Sequence, residues 1–195
     1  MRKLSESVWG DIRKKSLGQE VRSENILEIE LQKAKKMEFL DMSSDMYSRK
    51  KLLWCPCNFG AESFDQPGMW LDIHQMLELK QLLKGTGYHI ADDWYWQHLV
   101  TCRCEVEKIK DKTYGLIFTQ GPKKLYVPNF GYMSPPGLKP LFTRKTDSII
   151  LGGFAIGHPA YITLKLKESK LDSDYYILPK DGTEQFQVRL VKEIS

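Results

Sequence analysis

The sequence predicts an α+β protein with a mainly antiparallel sheet and one principal helix, preceded by a helical N-terminal part. Three observations carry that prediction. All nine prolines lie at or after Pro56, and only Gly10 and Gly18 of the fourteen glycines precede Gly60. Residues 1–51 hold three of the 22 aromatics: Trp9, Phe39 and Tyr47. A polar, helix-compatible first part thus gives way to the Gly-, Pro- and aromatic-rich mix of a turn-laden domain. One segment of that domain has helical spacing, and several short ones alternate as strands. Length and composition agree: 195 residues, 42% hydrophobic and 28% charged, suit one ordinary domain with an appendage.

The N-terminal part has two pieces. Leu4, Val8, Trp9 and Ile12 share one face of a short helix, flanked by Arg2, Lys3, Arg13, Lys14 and Lys15, and Gly18 is a stop. A helix this short is marginal alone in water, so its Trp9 face needs a surface to land on. That surface is either the chain's own domain or another protein. The second piece, residues 23–50, opens with Ser23 as candidate N-cap and Glu24 in the first turn. Ile26, Leu27, Ile29, Leu31, Ala34 and Met37 form a broad, imperfect stripe. It either pairs with a copy of itself or leans on the domain. The boundary to the domain, residues 51–195, is expected near Ser48–Lys51.

The domain opens with a strand-like run from Lys51 to Glu62. After turns around Asp65, Pro67 and Gly68 comes its clearest helix. Asp72 is its N-cap, Ile73, Met76, Leu77 and Leu83 lie on one face, and Gly85 ends it. Strands are predicted at Val100–Ile109, Tyr114–Thr119 and Leu125–Val127, the last two joined by Gln120-Gly121-Pro122 as a hairpin. The stretch Met133–Pro140, with Pro135, Pro136, Gly137 and Pro140, must be a loop and is a candidate recognition rim. Ser148–Leu151, Tyr161–Leu166 and Phe186–Leu190 are further strands.

Composition excludes several function classes. No apolar run approaches the ~18 residues of a membrane span. No apolar signal core follows Met1, so secretion is not expected. An excess of four basic over acidic residues does not indicate a nucleic-acid partner. His74, His89, His98 and His158 fall in no metal-ligand motif, and no nucleophile elbow, P-loop or dinucleotide fingerprint is present. Asp92-Asp93, read on a strand, face opposite ways and make a poor carboxylate pair. No enzymatic activity and no cofactor are therefore expected.

Two constellations remain. Cys55/Cys57 and Cys102/Cys104 are Cys-x-Cys pairs whose members face the same side of a strand. They are either buried core thiols or, if the two strands are neighbours, four sulfurs converging on zinc. Trp94, Tyr95 and Trp96, beside Asp92 and Asp93, form the candidate ligand site. Flat rings stack on sugar faces, and carboxylates accept hydroxyl hydrogen bonds. The alternative is that the rings fill the core. On a strand, positions 94 and 96 share one face and Tyr95 takes the other.

The residues also carry two resemblances. Leu53-Trp54 with Cys57-Asn58-Phe59-Gly60-Ala61-Glu62 resembles the opening strand of the Fibrobacter succinogenes major paralogous domain, which is related to C-type-lectin-like folds. Leu71-Asp72 with Glu78-Leu79, then Leu116-Ile117-Phe118 with Leu125 to Tyr132, then Phe186-Gln187-Val188-Arg189-Leu190-Val191, follow in that family's order. They span residues 52–192. The chain departs from the family in lacking a proline before the helix cap and in carrying Ser148 to Gly153 where the family has an aromatic strand. Independently, Ser7–Arg22 (SVWGDIRKKSLGQEVR) resembles a module that opens many proteins of Bacteroides phages, crAss-like phages among them.

Together the resemblances imply a virion protein made in the host cytoplasm, a head fibre, decoration or tail adhesin. Residues 1–22 would anchor it on capsid or tail proteins through Leu4, Val8, Trp9, Ile12, Arg13 and Lys14. Its C-type-lectin-like domain would face host surface glycan. Anchoring by a short segment implies avidity through a dimer or trimer. Two alternatives stand beside this reading: a connector within the particle that binds no ligand, and a bacterial glycan-binding or interaction protein.

Overall fold

The computed structural model describes residues 26–43, 51–110, 113–133, 148–167 and 170–194. The expected anchor residues Leu4, Val8, Trp9, Ile12, Arg13 and Lys14 lie outside the described residues, as does most of the Met133–Pro140 rim.

Helix α1 occupies residues 26–35. Its stripe is resolved into one inward face: Leu27, Leu31 and Ala34 are buried in the domain core, while Ile26 and Ile29 point to solvent. Strand β1 (Leu40–Asp41) follows and pairs antiparallel with β2 (Lys51–Trp54), Leu40 opposite Trp54. Met42 is buried beside Trp54. A packing boundary at residue 51 is therefore not what the described residues form. Residues 26–43 share both cores with the domain, because an amphipathic face this apolar is stabilised only by being covered.

Helix α2 (Ile73–Leu83) starts at Asp72, whose side chain accepts from Gln75 N while Gln75 Oε1 accepts from Asp72 N, a complete capping box. Its buried face is Ile73, Met76, Leu79 and Leu83, and the expected Leu77 faces outward. Strand β3 (Tyr88–Ile90) leads to helix α3 (Asp93–Gln97) and a 3₁₀ turn, His98–Thr101. That turn replaces the start of the strand expected at Val100, and β4 begins at Arg103 (Arg103–Lys110). The predicted hairpin is β5 (Thr113–Gln120) and β6 (Lys123–Pro128), turning at Gly121 with φ 58°. Then follow β7 (Ser148–Ala155), β8 (His158–Lys167), β9 (Lys170–Ile177) and β10 (Leu190–Ile194). The last expected strand, from Phe186, is instead a run of isolated bridges: Phe186 pairs with Leu71 and Val188 with Gly152, before β10 begins.

The described strands make three sheets, β1-β2-β10-β3, β4-β5-β6 and β7-β8-β9. Every pairing between these strands is antiparallel. The architecture is thus mixed α+β and mostly antiparallel. Its apolar interior divides into two clusters. One gathers α1, α2 and Phe186 around Cys55 and Cys57. The other gathers Trp54, Trp96 and the inner faces of the two three-stranded sheets.

Candidate functional site

The run Asp92–Trp96 is not a strand. Asp92 takes an extended N-cap conformation and its carboxylate accepts from Tyr95 N at 3.0 Å, which starts α3. Helical spacing then scatters the five predicted residues. Trp96 is fully buried, its ring 4.6 Å from that of Trp54. Tyr95 is buried on the side of β10 and donates its hydroxyl to Glu193 Oε1 at 2.8 Å. Burial and that carboxylate push the phenol far above its ordinary range. Trp94 stays half exposed, edge-on to the His98 ring at 4.0 Å. Asp93 accepts from Ser173 Oγ at 3.0 Å and from Gln97 Nε2 at 2.9 Å, tying α3 to β9. The five residues therefore do not present one surface, and Trp96 belongs to the core.

Two of them, Asp92 and Tyr95, line a cleft of about 450 Å³. Further walls come from the end of α2 and its C-cap (Lys80, Leu83, Lys84), from β3 (Tyr88, His89, Ile90) and from Phe154 and Gly157 near the β7–β8 turn. Its size falls within the range of small-ligand sites. Lys80 reaches across it, with Nζ 4.0 Å from the centre of the Phe154 ring and 3.5 Å from Gly157 O. The His89 and Tyr95 rings lie 5.6 Å apart and the Tyr88 ring is covered by Lys192 Nζ at 5.0 Å. Burial raises the Asp92 carboxyl above its ordinary value, with the Asp93 charge adding to the effect and the bond from Tyr95 N opposing it. The cleft thus combines ring faces, one carboxylate acceptor, an imidazole and two ammonium donors. That set suits recognition of a polyhydroxylated ligand. Tyr88 and His89 adjoin the predicted run in sequence, but Lys80 and Phe154 reach the cleft only through tertiary folding.

The cysteines separate into the two cores. Cys102 and Cys104 sit with Trp54 and Met42, where burial lifts them to about 11 and about 12. Cys55 and Cys57 sit in the other cluster, 3.8 Å and 3.4 Å from Met37 Sδ. All four are free thiols. The four sulfurs therefore do not converge. Among the described residues no three His, Cys, Asp or Glu side chains are placed to share a metal ion. The hydrogen bond between the Cys55 and Cys57 thiols lowers Cys55, with the Arg189 charge helping and burial opposing, and the same bond raises Cys57.

Arg189 is the residue that sequence reasoning would place at the surface. It is fully buried. Its guanidinium donates to Asn58 Oδ1 at 3.0 Å, to Cys55 O at 2.9 Å and to Tyr126 O at 3.0 Å. Asn58 in turn donates to Gln187 Oε1, and Phe59 N to Val188 O at 2.9 Å. The stretches around Cys57-Asn58, Leu125-Tyr126 and Phe186–Val191 thereby meet at one side chain.

No protein-family model matches the chain, and no curated protein or solved structure is significantly similar to it. Fold and cleft define the class on their own: an α+β protein of antiparallel sheets with a lined surface cleft. No helix among the described residues is long and apolar enough to cross a membrane.

Proposed function

We propose that this chain is a bacteriophage virion protein that docks through residues 1–22 and displays the rest as a C-type-lectin-like domain for a host surface glycan. The cleft carries the ligand-binding half of this reading. Half-buried Tyr88 and His89 supply rings, Asp92 an acceptor and Lys80 and Lys84 donors for the hydroxyls of a sugar, in a space of about 450 Å³. The lectin-like half is supported by the meeting of the three resembling stretches on Arg189. It is supported also by the pairing of the opening strand β2 with the closing strand β10, Trp54 opposite Val191. The docking half rests on the resemblance of Ser7–Arg22 to phage protein heads.

The test compares the intact protein with a version beginning at Ser23, in pull-downs against the purified structural proteins of the particle. The cut precedes residue 26 because α1 belongs to the core. Binding by the intact protein alone supports docking; equal binding by both overturns it. Trp9→Ala should fold normally and drop out of particles, since losing a buried tryptophan at an interface centre costs ~2 kcal/mol or more. A glycan array then tests the cleft. Signal lost in Asp92→Asn supports it. Virion binding without any glycan signal would leave a connector.

A further inference from the structure

Three sulfurs meet in the first core. Cys55 and Cys57 flank Pro56 just after β2. Met37, between α1 and β1, brings its thioether to 3.8 Å and 3.4 Å from their sulfurs. A trigonal metal bonded to three sulfurs at about 2.3 Å holds them about 4 Å apart. Both cysteine sulfurs thus already stand near the required spacing from the thioether. A cavity of about 160 Å³ opens beside Met37 and Cys55, with the Glu30 and Glu62 carboxylates among its walls. Met37 is only partly buried, so its flexible side chain is the movable side of the entrance.

A second observation points to the same place. Arg189 is a fully buried cation whose three hydrogen bonds all go to neutral acceptors. Buried charges are ordinarily paired. Among the described residues no carboxylate forms a salt bridge with it. Its guanidinium bonds the Cys55 carbonyl directly, which sets the cation beside the Cys55-Pro56-Cys57 turn.

We propose that Cys55, Cys57 and Met37 form a three-sulfur site for a soft monovalent ion, Cu(I). Thiolate and thioether ligands select Cu(I), whereas structural zinc takes four ligands. Binding forms three Cu–S bonds, breaks the ion's bonds to the acetonitrile that carried it, and releases both thiol protons to solvent, with no electron transferred. Two thiolates and one Cu(I) leave a single negative charge, which the Arg189 guanidinium balances. Because Met37 and the cysteines come from different segments, the ion would also fasten residues 26–43 to the domain.

The test is an anaerobic titration of the reduced full-length protein with Cu(I), supplied as its acetonitrile complex, against a chromophoric Cu(I) chelator. X-ray absorption of the loaded protein follows. The expected result is one Cu(I) retained per chain with three sulfur neighbours. Cys55→Ser and Cys57→Ser should lose it, and the Cys102→Ser/Cys104→Ser double variant should keep it. Met37→Leu conserves volume and so keeps the fold; it should lower the sulfur count from three to two. That variant carries the test if a cysteine variant fails to fold. Surrender of all Cu(I) to the chelator by the unmodified protein would overturn the proposal. So would retention undiminished in Cys57→Ser, or three sulfurs persisting in Met37→Leu.

Discussion

At the scale of single residues, Asp92 does two things at once. Its carboxylate caps α3 and lines the cleft, and burial raises its proton affinity above that of the unfolded chain. The sign of the consequence follows from linkage. A raised carboxyl pKa means that the folded state keeps its proton longer than the unfolded state. Stability from this group is therefore present at acid pH and lost as pH rises from the ordinary carboxylate value through the folded one. Asp92→Asn keeps the Oδ1 acceptor for Tyr95 N and removes the charge. It should be at least as stable as the unmodified protein at neutral pH. Its advantage should shrink as pH is lowered through that window, as read by urea unfolding at a series of pH values. Arg189 shows the opposite kind of residue. It holds Asn58, Cys55 O and Tyr126 O together, and nothing in the local pattern Val188-Arg189-Leu190 announces that a charge lies inside. A strand position flanked by apolar residues ordinarily turns its charge to water.

At the scale of elements, what was legible depends on whether the signal is local. Helix α2 is written in adjacent residues, with Asp72 and Gln75 for its start and Gly85, at φ 75°, just beyond its end. The β5–β6 hairpin is marked by its own glycine turn. Helix α3 is misleading. Its aromatic run has the composition of a strand, and five residues are too few to display a helical period, so the capping by Asp92 decides. Strand β9 was not legible at all. Lys170–Ile177 is an edge strand, largely exposed, whose order comes from pairing with β8. Of the cleft, Asp92 and Tyr95 were legible from the sequence, while Lys80 and Phe154 arrive from distant elements. Strand β7 adds a case where a glycine is needed for close approach. A Cβ on Gly153 would lie 2.7 Å from Ala91 O, a backbone atom that cannot swing aside. Gly153→Ala should destabilise by about 1–3 kcal/mol in urea unfolding, the usual cost of overpacking. An unchanged midpoint would mean that β7 and the segment before α3 can separate freely.

At the scale of the whole molecule, residues 26–43 and the domain form one cooperative unit. Leu27, Leu31, Ala34 and Met42 are all but excluded from solvent. Removing them would forfeit on the order of 5 kcal/mol of apolar burial, a large part of the stability of an ordinary domain. A version beginning at Ser23 should unfold in a single transition close to that of the full chain, while one beginning at Lys51 should be aggregated or largely unfolded. Equal midpoints for the two would refute this coupling. The pairing of β2 with β10 has a further consequence, one of timing. Trp54 finds Val191 and Leu52 finds Glu193 only after nearly all the intervening chain has been made. During synthesis the β2 edge of this sheet and the polar partners of Arg189 wait without their mates, so this part of the fold closes only once β10 has been made. A nascent chain stalled before β10 is therefore a sticky intermediate, and a chaperone has a defined interval in which to act on it.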